Sequence, residues 1–332
     1  GRDLLCIAVL STIAGCSDGG SGDDTTTTSG GSSGASGPVD DTEGSAATGS
    51  GASGSGPVAE TETETETAGS ETAGTDTAGA ETSGTDTAGT TDTGGPVAPT
   101  CPPTGPADVG VVDPDALVDS ERIVVSQSGT VIENVHVHGD IEIVDGATDI
   151  TIRNFKITTD GYWGIFVRDG SGIVIEDGEI DGLDQIDDAI RGAGYTARRL
   201  HIHDIGGDAF KADGDNLLEC NYITAIGQAP GAHGDGVQMM GDGDITIAGN
   251  NFDLTSGELT ACIFPFGQDP VSGPVWAEGN RLTGGAYIVY CHENLHMSDN
   301  VFGDDYAYGP VTDACGTWEN NVWESTGEPI EN

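Results

Sequence analysis

The sequence predicts an all-β chain folded as a parallel β-helix, a solenoid of about nine coils behind a disordered linker, and three observations carry that prediction. A six-residue pattern recurs nine times after Val131: apolar, any, small or Asn/Asp-like, any, any, apolar. No window of helical length keeps a 3.6-residue period. Short strands with Gly, Asn and Asp at their corners and no helical crossovers imply a coil that winds into the next coil.

In chain order, Arg2 precedes an apolar run over residues 4–10, followed by Ile13, Ala14, Gly15 and Cys16. This reads as an export signal over residues 1–16. Its last four residues resemble a bacterial lipobox, which makes Cys16 the expected lipidation site; a plain secretory signal is the alternative. The apolar run is too short to span a bilayer as a mature helix. Membrane contact is therefore expected only through the lipid, with the folded part outside the cytoplasm at the bacterial cell envelope.

Residues 17–100 are almost wholly Gly, Ser, Thr, Ala, Pro, Asp and Glu, with 15 acidic and no basic residues. Such a segment buries too little apolar surface to offset the entropy of ordering, so it reads as a disordered acidic linker. Even without self-repulsion a flexible coil of this length reaches roughly 50 Å. Pro96, Pro99, Pro102, Pro103 and Pro106 stiffen the junction, and ordered structure is expected to begin between residues 107 and 122 of a domain spanning 101–332.

That domain holds 40 acidic against 9 basic residues. The balance excludes nucleic acid and anionic membrane surfaces as partners, since both need a basic footprint. It also disfavours a polyanionic substrate unless cations bridge the two. A solvated acidic surface is the plain structural reading.

The nine copies fall at 132–137, 152–157, 175–180, 200–205, 218–223, 247–252, 277–282, 297–302 and 318–323, the fourth imperfect because Ile202 takes the small position. Period-two alternation around Ile150, Ile152, Ile245 and Ile247 marks them as strands. With Asn134, Asn154, Asp177, Asp299 and Asn320 at the turn position, and a second strand in each coil, residues 123–325 resemble the right-handed parallel β-helix proteins of the pectate-lyase-like superfamily. A solenoid of that kind would be roughly 43 Å long. Asn residues stacked at the turn pair along the axis, and Trp318, Trp323 and Pro329 are bulky enough to cover the open end of the core.

Within the coils, residues 187–191, 207–211 and 234–238 share one pattern: a small or acidic residue, Asp, a small residue, an apolar residue and a long polar one. Aligning the second strands puts Ile165, Ile190, Phe210, Val237, Ile263, Tyr287 and Val311 in one inward column. Arg191, Lys211 and Gln238 follow that column by one residue and so face outward, about 4.8 Å apart. Two adjacent cations require an anion close by, either the protein's own carboxylates or a ligand. Asp188, Asp208 and Asp235 form the parallel acidic column. A straight strand buries Asp188, whereas a bend at the preceding small residues turns the carboxylates toward a cleft, with separations near those of glycosidase pairs. His201, His203 and His233 add titratable groups in the same coils. Either the Asp residues cap turn amides and pair with Arg191 and Lys211, or the set Asp188, Arg191, Asp208, Lys211, His233, Asp235 and Gln238 works on a glycan.

The resemblance implies two chemistries. In β-elimination of uronic-acid polysaccharides Lys211 or Arg191 would be the base, with Ca²⁺ on clustered carboxylates, and a depressed lysine pKa would be needed. In hydrolysis Asp188, Asp208 and Asp235 would share general acid and water activation. Calcium is the cofactor the acidic turns can hold, with Asp181, Asp184, Asp187 and Asp188 as the preferred cluster and Asp213, Asp215, Asp242 and Asp244 as further oxygen donors.

His292, Glu293 and His296 satisfy the H-E-x-x-H zinc pattern, but that chemistry needs both His on one face of a helix, and here the segment joins two strands. No zinc is expected. Of the five cysteines beyond Cys16, an odd number leaves at least one unpaired. Cys291 and Cys315 lie about one coil apart and make the best disulfide, whereas Cys220 reads as a small buried hydrophobe. The sequence reads as a surface-anchored, monomeric polysaccharide-active protein, a lyase or glycoside hydrolase working in a groove. The alternative is a non-catalytic carbohydrate-binding or adhesion module using Tyr162, Trp163, Tyr306 and Tyr308.

Overall fold

The computed structural model describes residues 100–265 and 273–332; the expected signal peptide, Cys16 and all but the last residue of the linker lie outside them. The described chain is a parallel β-solenoid of about nine turns, with a single short 3-10 turn, Pro114–Ala116, among these residues. Each coil runs through a first face, a one-residue corner, a second face, a turn and a third face. In the coil that starts at Ile173, the strand Ile173–Asp181 forms the first two faces and Asp188–Gly192 the third.

Nine corners carry the bend from first to second face: Asn134, Asn154, Asp177, Arg199, Cys220, Gly249, Gly279, Asp299 and Asn320, all with φ between 45° and 63°. Only Gly, Asn and Asp enter this left-handed region cheaply. The two exceptions are each tied down. Arg199 makes a double ion pair to Asp177 at 2.6 and 2.8 Å, and Cys220 is bonded to Cys101. Because an Arg stands at this corner, the expected fourth copy at 200–205 is displaced: Ala197 pairs with Ile175 and Ile202 with Ile180, so the repeat occupies 197–202.

Corner residues do pair along the axis, as Asn154 with Asn134 at 2.7 Å and Asn320 with Asp299 at 3.0 Å. The longer ladder stands one residue further on, where Asn221, Asn250, Asn280, Asn300 and Asn321 are all buried. Each of the first four donates from Nδ2 to the Oδ1 of the next at 2.9–3.0 Å, and its backbone N–H donates to the same oxygen. A buried Asn satisfied on both sides replaces an apolar residue at no unpaired cost.

The third-face core column is Ile141, Ile165, Ile190, Phe210, Val237, Ile263, Val289 and Val311. Tyr287, expected in this column, pairs with Gly309 and stays half-exposed, because the strand Tyr287–Val289 presents its valine inward. Residues 101–113 run back along the corner row: Asn251 Nδ2 donates to the Pro103 carbonyl, Gly110 N–H to Arg199 O, and Asn154 Oδ1 accepts from Val112 and Asp113. At the far end Trp318 packs on Phe302 and donates to Ile330 O at 2.8 Å, while Val322 bridges antiparallel to Pro329. Cys291 and Cys315 are bonded and Cys262 is free and buried. Cys220 is a disulfide partner rather than a lone hydrophobe, because the returning segment brings Cys101 onto its corner.

Candidate functional site

The outward row of the third face reads Phe166, Arg191, Lys211, Gln238, Phe264, each in register with the next. The anions beside its two cations are the protein's own. Lys211 Nζ lies 2.6 Å from Asp188 Oδ1, 3.0 Å from Asp187 Oδ2 and 3.3 Å from Asp208 Oδ2, and Arg191 Nη1 is 3.1 Å from Asp188 Oδ2. Arg191 also stacks over the Phe166 ring at 5.0 Å.

The Asp column is buried: Asp188, Asp208 and Asp235 are 0%, 4% and 1% exposed. Burial does not turn them away from the outward row: Asp188 and Asp208 still reach Lys211, and Asp208 lines the cleft beside it. Each carboxylate is turned along the axis, so that Asp208 Oδ1 accepts the Asp235 N–H at 2.8 Å and Asp235 accepts the Ala261 N–H. Asp208 and Asp235 thus cap amides of the next coil, as the Asn ladder does, and Asp188 serves the cations. Burial, against the pull of Lys211, pushes Asp208 up to about 7; burial and the neighbouring Asp208 push Asp235 up to about 9. Burial likewise raises Asp188, opposed by Lys211. Burial by itself would lower the lysine, but Asp188 and Asp208 outweigh it and hold its amine above the ordinary value. The depressed lysine that β-elimination requires is therefore not what these carboxylates make.

Lys211, Asp187, Asp208, His233, Gln238 and Tyr162 line one cleft of about 450 Å³. Asp188 and Asp235 lie behind its wall, and Arg191 stands on the same row outside it. Asp181, Asp184 and Asp187 do not gather as a calcium cluster: no set of three metal-type donors within 4.8 Å contains Asp184 or Asp187 among the described residues. Asp187 is drawn to Lys211, and Asp181 Oδ1 caps the Leu183 N–H at 3.1 Å. In the H-E-x-x-H segment His296 sits on the strand Leu295–Ser298, stacked on Trp276 at 4.2 Å, so the two His share no helix face.

The cleft continues. A hollow of about 430 Å³ shares Gly231, Ala232 and His233 with it and adds Glu258 and Tyr290; a third of about 390 Å³ shares Leu259 and Ala286 with the second and adds Asp305, Tyr306 and Tyr308. Together they make a trough along the solenoid axis, with Tyr162 at one end and Tyr306 and Tyr308 at the other. Tyr162 packs edge-on to Trp163 at 5.2 Å, and Tyr290 meets Phe264 and Tyr287 edge-on at 5.0 and 5.4 Å. Glu258 and Tyr290 had no expected role. Tyr290 was readable, since it follows the core residue Val289 as Phe264 follows Ile263; placing Tyr287 in the core column hid it.

Fold and trough define a solenoid protein with an elongated surface site. No family model, curated protein or solved structure matches the chain.

Proposed function

We propose that this chain binds an extended polysaccharide along the trough and displays it at the bacterial cell envelope. The carrying observation is the fusion of three hollows into one groove parallel to the axis, with exposed tyrosines at both ends. A solenoid repeats its surface along the axis, so such a groove offers equivalent positions to successive units of a polymer. Tyrosine rings supply flat apolar faces with a polar tip, suited to sugar rings. The walls carry Asp187, Asp208, Glu258 and Asp305, while the one lysine is already held by three carboxylates. This favours a neutral or amino-bearing glycan over a uronate. Two disulfides support an extracytoplasmic location, and a lipid on Cys16 with the acidic linker as spacer remains part of the proposal.

Hydrolysis is the second reading, and one observation favours it. Asp208 stands in the cleft wall with its carboxyl at about 7, beside the half-exposed Asp187. Two carboxyls in one cleft with different environments are what acid and base roles require. The test is sedimentation of the full chain with insoluble neutral, amino-bearing and uronate polysaccharides, scoring reducing ends and unsaturated products in the same tubes. Binding to a neutral or amino-bearing glycan that falls at least about tenfold in Tyr162→Ala/Tyr308→Ala supports the trough. No retention on any of the three sinks it. Reducing ends lost in Asp208→Asn would establish the hydrolase reading.

A further inference from the structure

On the second face, the strand Tyr195–His203 projects His201 and His203 outward, and the neighbouring strand Ile173–Asp181 sets Glu179 opposite His201 and Asp181 opposite His203. One donor atom from each of Glu179, His201 and His203 lies within 4.8 Å of the other two, and all three residues are half-buried. The imidazoles stack at 4.2 Å. His203 Nδ1 lies 2.7 Å from Asp204 Oδ2, and its Nε2 lies 3.3 Å from Glu179 Oε1.

We propose that Glu179, His201 and His203 bind a zinc-class divalent cation, with Asp204 orienting His203. Two imidazoles and one carboxylate are the donor set of late first-row metals, whereas calcium takes six to eight oxygens. In a tetrahedral site with bonds of about 2.1 Å, adjacent ligand atoms stand about 3.4 Å apart. The Glu179 to His203 separation already has that value, so the cation takes the place of the proton shared between them. Asp204 on the other ring nitrogen is the carboxylate–histidine arrangement that fixes a ligating tautomer. Lys156 is the competitor: its Nζ lies 2.6 Å from Glu179 Oε1 and must swing away when the metal enters. No sequence spacing announces the set, because Glu179 joins the histidines only through the pairing of two coils. Bound there, the cation would tie those coils together on the face beside the trough.

The test uses the full chain, stripped with a chelator, titrated with Zn²⁺ by calorimetry and with Co²⁺ by visible absorption. One equivalent and the ligand-field bands of four- or five-coordinate cobalt are expected. His201→Ala/His203→Ala should abolish both signals, Asp204→Asn weaken binding by about 10–100-fold, and Lys156→Met tighten it. His136→Ala/His138→Ala, which removes the similar but more exposed set on Asp119, should leave the stoichiometry unchanged. Absence of the cobalt bands in the wild-type chain overturns the proposal, as does loss of zinc in the His136/His138 variant alone. Should the His201/His203 variant fail to fold, an affinity unmoved by both Lys156→Met and Asp204→Asn overturns it equally.

Discussion

Asp235 is 1% exposed, and its carboxyl at about 9 makes it a proton carrier in the native state. An unfolded Asp titrates near 3.9, so the native state holds the extra proton between those two values. The stability this contributes is complete below the unfolded value and is lost as pH rises toward about 9, by about 1.4 kcal/mol per pH unit. Asn at this position keeps an acceptor for the Ala261 N–H and does not titrate. Urea midpoints of Asp235→Asn should therefore fall less steeply than those of the native chain between pH 5 and 8. Asp208, at about 7, contributes its own decline to both proteins, so the difference isolates Asp235. Parallel curves for the two chains would remove the buried-proton account.

Among the elements, the Asn ladder shows how a solenoid accommodates polar groups in its interior. Asn280 Nδ2 donates to Ile247 O at 2.8 Å and to Asn300 Oδ1 at 3.0 Å, while its Oδ1 accepts from the backbone and side chain of Asn250. Replacing it with Ala takes this partner from the Asn250 N–H and the Ile247 carbonyl of the preceding coil, each at about 1–3 kcal/mol. Asn280→Ala should lose about 3 kcal/mol or more by urea denaturation. Asn320→Gly, at an exposed corner with φ 55°, should stay within about 1 kcal/mol, because Gly accepts that conformation. Equal losses at the two positions would contradict the distinction between ladder and corner.

Across the whole molecule, the two disulfides do different work. Cys101–Cys220 spans 119 residues and fastens the returning segment to the fifth corner, while Cys291–Cys315 spans 24 within the last coils. Constraint of the unfolded chain grows with the loop closed, to about 5 kcal/mol for the first and about 3.5 for the second. Cys101→Ala/Cys220→Ala should accordingly lower the urea midpoint more than Cys291→Ala/Cys315→Ala, and the reverse order would show that local packing rather than loop closure sets their worth. At the C-terminal end of the stack Trp318 and Trp323 pack against the core and Ile330 is buried.

How much of this was legible follows from which interactions are periodic. Coil number, strand positions and the outward file of Arg191, Lys211 and Gln238 are written in local alternation, which sets what each side chain faces. The pairing of Cys291 with Cys315 could also be read, because one coil separates them. Where the repeat carries an untypical residue the register slips, as Arg199 and Tyr287 show, and Tyr290 was lost with it. The burial of the Asp column, the three carboxylates on Lys211, the trough built from loops 229–233 and 305–308, and the meeting of Glu179 with His201 and His203 depend on loop paths and contacts between coils. Those are long-range and aperiodic, so only the tertiary structure decides them.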